Sequence, residues 1–151
     1  MNSNGSQAAR QSNTDAAAAA QNAHFRTLVV DGNHFFGGFL EKFLENQKHF
    51  ILTADSAQDA IAKTRQFQPD LILLDSGLEG VKGLELLGEL LMEQASAAVI
   101  VLARKPSIPE AVEAIKLGAL DYMEQPLDPQ KLKEAIESQK QLFKIHNGAE
   151  D

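Results

Sequence analysis

The feature that most constrains this chain is a run of four apolar residues, Leu71-Ile72-Leu73-Leu74, held between Asp70 and Asp75, with Pro69 before it and Ser76-Gly77 after it. An uninterrupted apolar stretch that short, closed off by Pro and Gly, suits a strand buried on both faces, as in a parallel sheet. Asp75 then stands at the carboxyl end of a central strand, where open α/β sheets hold their ligands. Burying an unpaired carboxylate is costly, so the pattern predicts an Asp75 exposed in a cleft and used. The plainer reading is an aspartate that caps the next loop.

Elements of the same kind recur around this strand. Phe25 to Asp31 reads as a first strand ending in an acid, His49 to Ala54 as a second, Ala97 to Ala103 as a fourth and Leu120 to Glu124 as a short fifth. Between them lie helical stripes. Phe36, Phe39, Leu40, Phe43 and Leu44 recur at helical spacing, with Gly37 and Gly38 where the first turn presses closely on something. Ser56 to Asp59 resembles a capping box opening a helix through Phe67. Leu84, Leu87 and Leu91 share a face flanked by Leu86 and Leu90. Ser107-Ile108-Pro109-Glu110 is a second capping box, on a helix running to Gly118, and Asp128-Pro129 starts a last helix whose core face is Leu132, Ala135, Ile136, Gln139 and Phe143. Five strands alternating with five helices predict an α/β, flavodoxin-like doubly wound (βα)5 domain with a five-stranded parallel sheet in the order 2-1-3-4-5. In that order strands one and three are neighbours, so Asp31 and Asp75 meet at one cleft. Two carboxylates there, with no His or Cys partner, suit a hard cation such as Mg²⁺.

Several function classes drop out. The chain has no cysteine, so no disulfide, thiolate nucleophile or zinc–thiolate site is available. A formal net charge of -7 over 151 residues disfavours nucleic acid and anionic membrane as partners. No Gly-rich phosphate loop or nucleophile elbow is present. Met1 to His24 is Asn, Ser, Gln and Ala with only Arg10 and Asp15 charged, and is expected to be a disordered leader. The expected organisation is a leader over 1–24, one domain over 25–145 and a tail over 146–151, in the cytoplasm, with no output domain after Phe143.

Four motifs then resemble the receiver domain of bacterial response regulators, in particular receivers of the nitrogen-regulatory, enhancer-binding activator type. They are Leu28-Val29-Val30-Asp31, Pro69 to Asp75, Gly83-Leu84-Glu85-Leu86-Leu87 and Ala114 to Tyr122. The resemblance implies that Asp75 holds the phosphoacceptor position, Tyr122 the aromatic switch position, and Asp31, Asp75 and the Gly77 carbonyl the Mg²⁺ position. It also implies partners or a dimer mate on the face of helix four, strand five and helix five. The chain departs from the family at several places. Gly32 stands where a second acid follows strand one, Ala103 where Thr or Ser ends strand four, Gln125 where Lys precedes Pro126, and Glu79 where Pro is usual. Losing a carboxylate weakens or abolishes the Mg²⁺ site, losing Lys removes a cation, and Ala103 lacks the hydroxyl that couples a phosphoryl group to the aromatic. The expectation is a degenerate, non-enzymatic receiver, with no cofactor beyond weak Mg²⁺, working by phosphorylation-independent protein–protein contact, its Tyr122 turned inward over Ala103. The alternative is a receiver still phosphorylated at Asp75 with altered chemistry, and a third class is a flavin or nucleotide binder on the same fold. Arg104 is expected as a solvent-exposed loop cation, or else as a replacement for part of the lost positive charge.

Overall fold

A computed structural model describes residues 25–32, 50–78, 80 and 84–146 of the chain. Its strands are β1 (Arg26–Val30), β2 (Phe50–Ala54), β3 (Leu71–Asp75), β4 (Ala98–Ala103) and β5 (Asp121–Glu124). All pair in parallel, in the order β2-β1-β3-β4-β5, as the alternating pattern predicts. The described helices are α1 (Ala57–Phe67), α2 (Glu85–Glu93), α3 (Ile108–Leu117) and α4 (Pro129–His146), which correspond to the second to fifth helices of the sequence pattern. The first expected helix, around Phe36 to Leu44, lies outside the described residues, as does Glu79.

Side chains alternate across the pleat and build two cores. Leu28, Val30, Ile72, Leu74, Val99 and Val101 face one way, into a cluster completed by Ala60 of α1, Leu86, Leu87 and Leu90 of α2 and Ala114 of α3. Val29, Leu71, Leu73, Ile100 and Leu102 face the other way, where Leu132 and Ile136 of α4 cover them. Every residue of β3 is buried, as a strand sandwiched between two layers requires.

Local signals set the helix ends. The Ser56 hydroxyl accepts the Asp59 N–H at 3.1 Å and opens α1; the Ser107 hydroxyl accepts the Glu110 N–H at 3.1 Å and opens α3. Gly118 ends α3 at φ 113, in the left-handed region that favours glycine. One expected face shifts. On α2, Leu86 and Leu90 join Leu87 as the fully buried residues, while Leu91 is only partly buried. The helix begins at Glu85 and is flanked by both α1 and α3, so its apolar stripe is wider than a single seam.

Candidate functional site

Val30 pairs with Leu74 across β1 and β3, so Asp31 and Asp75 leave the sheet side by side at its carboxyl edge. The predicted exposure of Asp75 is corrected here: the residue is 1 % exposed, and Asp31 3 %. Partners offset the cost of burying its charge. Asp75 Oδ1 accepts the Gly77 N–H at 2.9 Å, and Oδ2 accepts from Arg104 Nη2 in an ion pair of 2.6 Å. Charge-assisted hydrogen bonds of this kind are the strong ones. Arg104 is therefore no loose loop cation; its guanidinium belongs to the site.

Three local facts deliver that guanidinium. Ser76 N–H bonds the Leu102 carbonyl at 3.0 Å, tying the loop after β3 to the end of β4. Arg104 follows Ala103, the fully buried last residue of β4, and folds back over Gly77. A Cβ on Gly77 would lie 2.9 Å from Arg104 Cδ, so the missing side chain is what allows the arginine stem to cross. Gln125, at the end of β5, turns its amide inward: Nε2 donates to the Leu102 carbonyl at 3.1 Å and stands 3.5 Å from Asp75 Oδ1. It brings an amide dipole to the place the family resemblance reserves for a lysine charge.

The residues present do not fit a Mg²⁺ site. One Asp75 oxygen already carries a cation, and Gly32 brings no carboxylate. A Cβ on Gly32 would lie 3.0 Å from Leu78 Cδ1, so Leu78 crowds the position of the missing acid. Among the described residues no group of three His, Cys, Asp or Glu side chains is arranged to hold a metal ion. Asp70, the aspartate at the other end of β3, has a different duty. It accepts the Arg26 N–H at 2.9 Å and fastens the start of β1, and burial raises its pKa against the opposing pull of Arg26.

Tyr122 sits on β5 opposite Val101, partly buried and packed against the cluster that contains Val99 and Ala114. Its hydroxyl donates to the Glu110 carboxylate and accepts the Ser107 N–H at 3.3 Å. Burial first, and then the Glu110 hydrogen bond, raise the phenol pKa above its ordinary 10.0. The aromatic is thus fastened to the first turn of α3, while Ala103 lies opposite Glu124. Sequence reasoning reads Arg104 as a loop cation or a partial replacement for the lost charge, and Glu110 only as part of a capping box; the bond of Glu110 to Tyr122 is not foreseen there. Glu110 stands three residues after a serine cap, and Arg104 directly after the missing hydroxyl.

Beyond the latch, α3 turns apolar side chains to solvent: Ile108 is 80 % exposed, Val112 48 % and Ile115 50 %. Between β5 and α4 a cleft of about 720 Å³ opens, lined among others by Tyr122, Glu124, Asp128, Lys131 and Glu134. None of the helices among the described residues is long and apolar enough to cross a membrane.

The comparisons with known proteins agree with this fold. Residues 27–137 match the family model described as the response regulator receiver domain. The chain is 33 % identical to the transcriptional regulatory protein ZraR of Salmonella typhimurium over 73 % of its own length and 25 % of that protein's. It is 35 % identical to the nitrogen assimilation regulatory protein NtrX of Azorhizobium caulinodans, over 70 % of this chain and 24 % of that one. The chain thus spans about a quarter of the length of these two curated relatives. The crystal structure of the receiver domain of NtrX from Brucella abortus superposes with a TM-score of 0.69 at 30 % identity, covering 76 % of this chain and 98 % of that domain. Sheet order, the strand-end aspartates and the family match together make this chain a member of the response regulator receiver domain family.

Proposed function

We propose that this receiver is an atypical one, which takes part in two-component-type signalling in the cytoplasm through protein–protein contact and without phosphorylation of Asp75. The observation that carries the reading is the Asp75–Arg104 pair: the carboxylate is buried, and both of its oxygens are engaged. Attack on a phosphoryl donor would require one of these contacts to be given up, the Arg104 pair at Oδ2 or the Gly77 N–H at Oδ1. The oxygens of the transferred phosphoryl group would then meet an alanine and a glutamine amide in place of a hydroxyl and an ammonium. The proposed contact surface is the face of α3, β5 and α4, where Ile108, Val112 and Ile115 are exposed and Tyr122 holds α3 in place. The partner is a protein or a second copy of the chain.

A second reading has one observation in its favour. A guanidinium already on Asp75 can hold phosphoryl oxygens bidentately, so Arg104 would serve a phospho-accepting receiver as its charge source. A flavin or nucleotide is less well supported. The cleft beside β5 carries Asp121, Glu124, Asp128 and Glu134 against Lys131, which repels phosphate. The test is intact-mass spectrometry after acetyl phosphate with Mg²⁺, joined to a pull-down with wild type and Asp75→Asn. The proposal expects no adduct and the same partner in both pull-downs. An Asp75 adduct, with a partner bound only by the modified form, would establish the second reading instead.

A further inference from the structure

We infer that Arg104 is the resident cation of the aspartate site, and that its tethered guanidinium is what closes this site to divalent metal ions. The inference concerns the same site as the proposed function but stands independently of it. Asp31 and Asp75 emerge from adjacent strands, and Asp75, almost wholly buried, requires a cation nearby to hold its charge. Arg104 supplies one at 2.6 Å from Asp75 Oδ2. Gln125 cannot share the task, because its amide is neutral and its shorter bond goes to the Leu102 carbonyl.

The geometry around the guanidinium supports a built-in arrangement. Gly77 gives Asp75 its N–H and, lacking a Cβ, leaves the path that the arginine stem takes. The tether fixes the local concentration of this cation whatever the bulk ionic composition. A divalent ion approaching Asp75 would have to displace the guanidinium or accept a positive charge as its near neighbour, which Coulomb repulsion in a poorly solvated site strongly opposes. The arginine side chain is 38 % exposed, so it has a route to water and the pair can open without unfolding the domain. Without Arg104 the buried Asp75 carboxylate would be left without that cation, and a divalent ion, even with few protein ligands, could take its place.

The test uses Mn²⁺ as the probe, read by water-proton relaxation and by paramagnetic broadening of amide resonances, on the full chain. Arg104→Gln keeps a hydrogen-bond donor toward Asp75 and removes the charge; Arg104→Lys keeps the charge; unperturbed amide spectra elsewhere establish that each folds. Arg104→Gln is expected to bind Mn²⁺ at least tenfold more tightly than wild type, with broadening centred on Asp31, Asp75 and Gly77. Arg104→Lys is expected to stay close to wild type, and Arg104→Gln/Asp75→Asn to lose the gain. Tight Mn²⁺ binding by wild type, no gain in folded Arg104→Gln, or a gain that survives Asp75→Asn would each overturn the inference. A phosphoryl adduct on wild-type Asp75 would refute the proposed function and leave the metal result as it stands.

Discussion

Replacing Arg104 with alanine removes one half of an ion pair whose other half has no access to water. The Asp75 side chain is 0 % exposed and that of Arg104 38 % exposed. Breaking a fully buried pair by deleting one partner costs about 3–5 kcal/mol, whereas a solvent-exposed pair contributes roughly 0.2–1 kcal/mol. Arg104→Ala lies between these limits and nearer the upper one, because the residue left behind is the buried one, so about 2–3 kcal/mol is expected. Asp75→Asn should cost less, about 1 kcal/mol. Asparagine still accepts the Gly77 N–H, and the cation left over can turn to water. The double variant should be less destabilised than the two single losses added together, with a coupling of about 1–2 kcal/mol. Urea unfolding of the four proteins, followed by far-ultraviolet circular dichroism at neutral pH, measures the cycle. A loss below about 0.5 kcal/mol in Arg104→Ala, or strict additivity, would mean that the pair contributes little and that Asp75 is solvated in some other way.

Tyr122 is the chain's single tyrosine, so phenolate absorbance reports the latch on α3 directly. Its folded-state pKa is raised, so the contribution of the Tyr122–Glu110 contact is fully present below pH 10.0 and is lost as pH rises through the folded value. Glu110→Gln should move the titration part of the way back toward the ordinary value, since burial remains; an unchanged titration would show that the latch is not formed in solution. Gly118→Ala forces a left-handed φ on a side chain whose Cβ would lie 2.9 Å from Leu91 Cδ1, and should cost about 1–3 kcal/mol in thermal unfolding. Tolerance of alanine there would place the end of α3 elsewhere.

Much of this domain was legible in the amino-acid order because the signals are local. Leu71 to Leu74 between its punctuating residues specified a doubly buried strand; Ser56, Ser107 and Gly118 marked helix ends; the alternation of strands and helices gave the sheet order. Propensity, periodicity and capping act over a few residues, so they can be read along the chain. Asp31 and Asp75 could be brought to one cleft on the same basis, once the order of strands was known. The state of that cleft was decided only in three dimensions. Whether Asp75 is solvated depends on Arg104, 29 residues away, and on a glycine that lets its stem pass. The tether of Tyr122 likewise depends on Glu110, 12 residues away, on a helix that packs beside β5. The wide buried face of α2 depends on its having neighbours on two sides. A sequence shows that a charge is present, but its desolvation and its partner are set by which loops fold over the strand ends, and that is a property of the assembled sheet.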